Sequence, residues 1–306
     1  MKSAPKQLEI ALALHDAQGN YWPYTAATIT SVCEHTSVPV CVHLLHDDTL
    51  CSLARESLKK IVSSYGHALE LHSVTPKNFD KLNFRHFSPA SLYRLMIPEI
   101  LAQHDQVIYL DSDIIFNQID IATIQQWLDK EKILYPIAAV HDDLFGCYQE
   151  QIDELKNLGL NASQYFNSGL LVMHPTMIQE NLLDSFEVFA KSHPSAIHLD
   201  QDFLNLHFCG KVNLLPPEFN FQVNITQDRA FKAPDVFENK VLHFTGKNKP
   251  LSGKFAPPDI YFWRYTHLIP KISTYIQSPH FYLQQIPGQP NSARLIPSIP
   301  KPPKKP

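Results

Sequence analysis

The sequence predicts an α/β protein with a Rossmann-like, mostly parallel sheet flanked by helices and a small helical C-terminal extension. Three observations predict it. Short, continuous apolar runs such as Leu8 to Leu14 and Val107 to Leu110 have the composition of strands buried on both faces. These runs alternate with stretches of helical periodicity, the order that builds parallel βαβ units. Several runs also end on polar or acidic residues, and ligands in open α/β sheets bind beyond the carboxyl ends of the strands.

Leu8 to Leu14 reads as the first strand and delivers His15-Asp16, a polar turn, and the aromatic cluster Tyr21-Trp22-Pro23-Tyr24. A helix is expected from about Thr25 to Glu34. Polar groups and rings at a strand end suit a nucleoside pocket, and they suit an ordinary surface loop equally. Val38 to Leu45 is a second strand. His46-Asp47-Asp48-Thr49 then offers N-cap residues to a helix whose Leu50, Leu53, Ala54, Leu58, Ile61, Val62 and Tyr65 share one face. Gly66 suits its C-terminal stop, and Leu69 to Val74 is a third strand. Ser91 to Leu101 reads as a short helix that brings Arg94 near the next strand's loops. A guanidinium there can hold an anion or a carboxylate, or can simply be solvated.

The stretch Gln106 to Asp120, QVIYLDSDIIFNQID, carries the strand Val107 to Leu110 and stops on Asp111-Ser112-Asp113. Two carboxylates two residues apart in extended chain point the same way. They repel unless a positive charge lies between them, and a hard divalent cation meets that need. Taken alone, the motif also fits a solvated turn. Ile137 to Val140 is a further strand ending in His141-Asp142-Asp143, followed by a polar helical excursion to Gly159. Tyr165 to Met173 reads as a strand with a polar, glycine-containing start, and a helix is expected after Pro175 to about His193. Asp200, Gln201 and Asp202 open another helix; capping explains one of them more readily than all three. Val241 to Phe244 is the last strand, and Tyr261-Phe262-Trp263-Arg264-Tyr265 reads as an aromatic, basic helix.

The chain has 306 residues, 26 basic and 30 acidic side chains and a net charge of -4, which excludes general nucleic-acid binding. Its five cysteines include no C-x-x-C pair and read as reduced and mostly packed. The N-terminus has too short an apolar run for a signal peptide, and no stretch approaches the ~20 apolar residues that span a bilayer. A cytoplasmic location is expected, at most peripheral to a membrane. The sequons at Asn161 and Asn224 have no meaning there. Neither a dinucleotide fingerprint nor a P-loop is present among only 9 glycines. Phosphatases with an aspartyl nucleophile also carry Asp-x-Asp after a strand, but near the N-terminus and before a Gly-Thr-like turn rather than Ile114-Ile115.

The segments SLYRL, VIYLDSDIIF, YFNSGLLVM, LDQDFLN and HFTGKNKP together resemble the retaining GT-A-fold glycosyltransferases of family 8, which include lipopolysaccharide galactosyl- and glucosyltransferases and glycogenin. The resemblance covers about Leu8 to Pro250. It implies a catalytic domain over 1–250, a helical aromatic and basic extension over 251–286, and a Pro/Lys-rich disordered tail over 287–306. It implies that Asp111, Asp113 and His243 bind Mn²⁺, or Mg²⁺ in its place. His15, Asp16, Asn20 and Tyr21 would hold uracil and ribose. Gly246 and Lys249, with Ser112 inside the acidic motif, would border the phosphates. Arg94, Asp143, Asn167 and Asp200 would bind the donor sugar or fix its loops, and Gln201 would lie beneath the anomeric carbon. The implied donor is UDP-galactose or UDP-glucose. The implied acceptor is a glycan or glycolipid, above all a lipopolysaccharide core oligosaccharide at the cytoplasmic face of the inner membrane. Rival readings are a glycogenin-like or protein-glycosylating transferase, a nucleotide-sugar-binding protein without turnover, and the aspartyl phosphatase. Two departures stand out: the first loop is longer than in the family, and Leu251 replaces the Trp that relatives often carry after Lys249-Pro250. The C-terminal aromatic helix resembles membrane-attaching tails and could equally pack on the core.

Overall fold

The structure is a computed structural model that describes residues 6–75, 88–131, 135–143, 149–194, 196–223, 234–246, 249–251 and 258–270. The tail 287–306, most of the extension 251–286 and the sequon at Asn224 lie outside the described residues. In chain order the first elements are β1 (Leu8–Leu14), α1 (Trp22–His35), β2 (Val40–His46), α2 (Ser52–Ser64) and β3 (Ala68–Ser73). They are followed by α3 (Ala90–Tyr93), α4 (Ile97–Ile100), β4 (Val107–Leu110), β5 (Ile114–Asn117) and α5 (Ala122–Lys130). Next come β6 (Ile137–His141), α6 (Gln149–Asn157), β7 (Phe166–Met173), α7 (Leu182–Ser192) and α8 (Leu199–His207). The short strands β8 (Val212–Leu214), β9 (Phe221–Gln222) and β10 (Lys240–His243) and the helix α9 (Asp259–Trp263) complete the set.

The main sheet has seven strands in the order β3-β2-β1-β4-β7-β6-β8. It is mostly parallel; β7 alone runs against its neighbours β4 and β6. Side chains alternate across it as the pleat requires. Ile108 and Leu110 of β4 pack with α1 and α2, while Val107 and Tyr109 pack with α4, α7 and α8. Both faces are therefore covered, which is why these strands read as unbroken apolar runs.

The structure departs from the sequence reading at several elements. The helix expected over 91–101 is broken by a 3-10 turn, Arg94–Met96, and restarts with Pro98 in the first turn of α4, where a missing N–H costs nothing. Likewise α1 begins earlier than expected, with Pro23 in its first turn. The elements β5, α5, β8 and β9 have no counterpart in the sequence reading. The last strand joins not the main sheet but a three-stranded one, β5-β10-β9, in which His243 pairs antiparallel with Ile114. Helix α1 is buried nearly all round, and its hydroxyls find partners, as when Ser31 Oγ accepts from Phe116 N–H at 3.1 Å. Among the described residues Cys33 and Cys41 are buried and Cys51 and Cys209 exposed, while Cys147 lies outside them.

The aromatic C-terminal segment is packed. Phe262 and Tyr265 are fully buried, with Phe262 against Tyr24 and Phe244 at ring separations of 5.4 and 5.7 Å. Tyr265 Oη donates to Phe116 O at 3.1 Å. These two rings face the protein and not a bilayer. Among the described residues no helix is long and apolar enough to cross a membrane.

Candidate active site

Asp111 and Asp113 do not sit in extended chain. They lie in a tight turn between β4 and β5, closed by Ile114 N–H to Asp111 O at 3.3 Å, and the turn itself brings both carboxylates to one side. Ser112 is directed inward. It accepts from Thr25 Oγ1 at 2.9 Å, its carbonyl accepts from Thr28 Oγ1 at 2.8 Å, and its hydroxyl donates to Ala13 O at 3.3 Å. The acidic turn is thereby fastened to α1 and β1.

Each acid has one oxygen committed and one turned to a common point. Asp111 Oδ1 accepts from Arg94 Nη2 and Tyr109 Oη, both at 2.8 Å. Arg94 is itself buried, with its other donors on Ser168 O (2.6 Å), Ser168 Oγ (2.9 Å) and Ser91 O (3.0 Å), and it stacks over Tyr109 at 4.6 Å. Asp113 Oδ2 is engaged by Lys249 Nζ. The free oxygens face His243 Nε2, at 3.7 Å from Asp111 Oδ2 and 3.4 Å from Asp113 Oδ1. Although burial pushes the Asp113 carboxyl up, Lys249 and His243 outweigh it and hold it well below the usual carboxylate range.

The imidazole is set by a chain of amides. Gly169 N–H donates to Asn167 Oδ1 at 2.9 Å, and Asn220 Nδ2 donates to the same oxygen at 2.8 Å. Asn220 must therefore turn its own Oδ1 toward His243 Nδ1, 2.9 Å away. His243 donates from Nδ1, which turns its Nε2 toward the two carboxylates. Asp111, Asp113 and His243 offer donor atoms within 4.8 Å of one another. Two carboxylate oxygens and one imidazole form a donor set that fits Mn²⁺ or Mg²⁺, and the outer partners that hold them are those a metal site needs.

Beside this cluster, Gln201 Oε1 accepts from Ser168 N–H at 3.0 Å while Gln201 Nε2 donates to Asp142 Oδ2 at 3.1 Å. Asn167 Nδ2 donates to the same Asp142 oxygen at 3.1 Å. Asp200 is buried with its Oδ2 3.3 Å from Arg94 Nε; burial raises its carboxyl to about 6, against the pull of Arg94. Asp202 turns back to cap its own helix, accepting from His198 N–H at 2.9 Å. Leu199, just before Asp200, sits at φ 28, a conformation that side chains rarely adopt. Gly246 at φ 86 occupies a left-handed position in the loop that carries Lys249.

Asp143 is not brought to this cluster. Its side chain is 82% exposed and lies 3.0 Å from His141 Nδ1, whereas Asp142, one residue earlier, is buried on Asn167 and Gln201. The pairing of β6 with β7 is itself irregular just before these acids: Ala139 faces Leu171 but Val140 faces Asn167, the extra residues lying in β7. In the first loop Asp16 serves the backbone: it accepts from Tyr21 N–H at 2.7 Å and Trp22 N–H at 3.2 Å at the start of α1. His15 Nδ1 lies 2.5 Å from Asp47 Oδ2. Burial pushes Asp47 up, but hydrogen bonds from Thr49, His15 and Tyr93 leave it below the usual carboxylate range. Asn20 is exposed. Tyr21 is half-buried, and its hydroxyl is raised by burial and by Asp113 and Asp111 nearby. The structure thus adds Tyr109, Asp142 and Asn220 to the residues singled out from sequence. Asp142 lies one position before Asp143, to which the resemblance assigns the role; Asn220 lies in Phe-Asn-Phe, where no spacing marks it.

The chain matches the family model described as glycosyl transferase family 8 over residues 11–252. It is 27% identical over 176 residues to lipopolysaccharide 1,3-galactosyltransferase of Salmonella typhimurium, covering 54% of this chain and 50% of the relative. It is 27% identical over 170 residues to galactinol synthase 1 of Solanum lycopersicum, covering 54% and 46%. The chain thus spans about half the length of these two curated relatives. Its fold is similar to that of galactosyltransferase LgtC, solved in complex with donor and acceptor sugar analogs. The TM-score is 0.70 at 22% identity, covering 85% of this chain and 95% of that one, and the fold is accordingly GT-A.

Proposed function

Because the chain belongs to glycosyl transferase family 8, we propose that it moves galactose or glucose from a UDP-sugar to a hydroxyl of a glycan acceptor, with the anomeric configuration retained. The observation that carries this reading is the convergence of Asp111 Oδ2, Asp113 Oδ1 and His243 Nε2, each fixed from behind by Arg94 and Tyr109, by Lys249, or by Asn220. A Mn²⁺ held by those three donors supplies Lewis acidity toward the pyrophosphate that leaves the sugar. Lys249, paired with Asp113 in the free protein, transfers its charge to the phosphates when donor binds. Arg94 keeps its grip on Asp111 throughout, so that the donor set stays organised. Asn167, Asp142 and Asp200 surround Gln201 and bind or orient the sugar hydroxyls.

The surroundings of Gln201 bear on the mechanism. Its Oε1 already accepts from Ser168 N–H, and Asn167 Nδ2 and Ser168 Oγ each lie 3.3 Å away. An amide oxygen so engaged is a poor nucleophile. The reading is therefore front-face attack: the bond from C1 to the phosphate oxygen breaks, the acceptor oxygen bonds to the same face of C1, and its proton passes to the leaving phosphate. The lipopolysaccharide galactosyltransferase among the relatives supports a lipopolysaccharide acceptor and galactose as the sugar. Calorimetric titration of UDP-galactose and UDP-glucose with and without Mn²⁺, on the wild type and on Asp113→Ala, tests the reading. Mn²⁺-dependent binding that Asp113→Ala abolishes is expected; metal-independent binding, or none, overturns it.

A further inference from the structure

A second group of metal-ligating side chains lies away from the acidic turn, on the outer strands of the main sheet. His43 is in β2 and is fully buried; Glu70 and His72 are in β3, and Glu9 is in β1. Glu70 stands directly opposite His43 in register. His43 Nδ1 lies 3.0 Å from His72 Nε2 and 3.5 Å from Glu70 Oε2, and the last two atoms are 3.9 Å apart. None of these residues has a part in the transfer reaction proposed above.

We propose that His43 Nδ1, His72 Nε2 and Glu70 form a second metal site, selective for Zn²⁺ or a similar imidazole-preferring transition metal, with Glu9 as the carboxylate that orients His43. The donor triangle has the right size. Ligands bound tetrahedrally at ~2.0–2.1 Å stand roughly 3.3–3.4 Å apart, which falls between the three separations seen here. The donors also have the right chemistry, since two imidazoles and one carboxylate favour zinc over the oxygen-seeking Mn²⁺ and Mg²⁺. The outer partner is in place as well: His43 Nε2 lies 2.8 Å from Glu9 Oε2, the carboxylate–histidine arrangement that holds a ring with its other nitrogen toward a metal. A hydrogen-bonded imidazole pair explains the 3.0 Å contact alone. It gives no reason for a carboxylate placed within reach of both facing nitrogens.

Such a site has a clear structural use. β3 is the last strand at one end of the sheet among the described residues and contributes no fully buried residue, each of its positions being exposed or intermediate. A metal shared between β2 and β3 pins that strand, and edge strands are where a sheet is weakest.

The test uses the full chain, stripped of metal, in an Asp113→Ala background so that the acidic turn does not take up zinc. Zn²⁺ competition against a chromophoric chelator, Co²⁺ absorption and the Zn²⁺-induced rise in Tm are measured. The Asp113→Ala protein is expected to bind Zn²⁺, give a tetrahedral Co²⁺ spectrum and gain Tm. Adding His72→Ala, a partly buried position outside the apolar core clusters, abolishes all three. Adding Glu9→Gln weakens Zn²⁺ by about 10–100-fold. The His72→Ala single variant keeps Mn²⁺-dependent transfer, which separates this site from the reaction. If the Asp113→Ala protein takes up no zinc, or if adding His72→Ala leaves zinc affinity and the Tm gain unchanged, the site does not exist and the cluster is a hydrogen-bonded network.

Discussion

At the scale of single residues, the site is governed by groups that never touch a donor atom's free side. Asn220 determines which nitrogen His243 presents, because its own amide is turned by Asn167, which is turned in turn by the Gly169 N–H. Replacing Asn220 by Ala removes the partner of His243 Nδ1 and lets the ring choose either tautomer. Mn²⁺ affinity measured in the presence of UDP should fall about 10–100-fold, the usual consequence of losing an outer partner of a ligating histidine. Unchanged affinity would show that the amide chain is decorative. Gly169 is constrained differently. A Cβ built there falls 2.2 Å from His243 Cε1 and 2.7 Å from His243 Nδ1, too close for either to remain. Gly169→Ala must push the imidazole off the carboxylates, so Mn²⁺-dependent transfer should be lost while stability drops by ~1–3 kcal/mol, the ordinary cost of overpacking. Urea unfolding beside an activity assay checks both halves, and full activity in this variant would sink the assigned role of His243.

At the scale of elements, the site is a joint between two sheets. The turn carrying Asp111 and Asp113 leaves the main sheet at β4 and enters the small sheet at β5, where β10 runs antiparallel and lays His243 beside Ile114. The strand β4 and the order of the first βα units were legible because buried parallel strands announce themselves as apolar runs. The small sheet was not legible. Ile114-Ile115-Phe116 follows the acidic motif so closely that it reads as a continuation, and antiparallel pairing with a distant strand leaves no periodic mark. The same limit applies to Asp142 and Asp143, two adjacent acids that look alike in the sequence although the fold buries the first and exposes the second. The acidic motif itself was legible as chemistry but not as geometry, being a turn fastened by helix α1. That fastening is testable through Thr28, whose hydroxyl donates to Ser112 O at 2.8 Å inside the protein. Thr28→Val keeps the shape and strands a buried carbonyl, a loss of ~1–3 kcal/mol in urea unfolding. The freed turn should also raise the apparent KM for the donor more than it lowers kcat. A variant as stable as the wild type would show that the turn holds without α1.

At the scale of the whole molecule, the buried charges of the site pull folding stability in opposite directions with pH. Asp113 is depressed by Lys249 and His243, so its contribution is present above the unfolded value of 3.8 and is lost as pH falls. Asp200 behaves in reverse. Burial raises it from 3.8 to about 6 despite Arg94, so the folded state holds its proton where the unfolded chain has already released it. Its contribution is therefore complete below pH 3.8 and disappears as pH rises through about 6. At neutral pH the ionised, buried Asp200 is a net cost to folding on the order of 3 kcal/mol, from about two pKa units at ~1.4 kcal/mol each. A residue that destabilises the resting protein is retained where the reaction needs it, and Asp200 lies against both Arg94 and the strand that carries Asn167. Asp200→Asn keeps the shape and removes the ionisation. Arg94 keeps Asp111, Ser168 and Ser91 as partners, so no charge is orphaned by the change. The variant should be more stable than the wild type at pH 7 and lose that advantage progressively toward pH 4, while transfer activity falls at every pH. Urea unfolding of both proteins across that range, with metal chelated, reads the difference directly. Parallel stability curves would mean that Asp200 does not titrate in the folded protein, and that its neighbourhood with Arg94 is an ordinary ion pair.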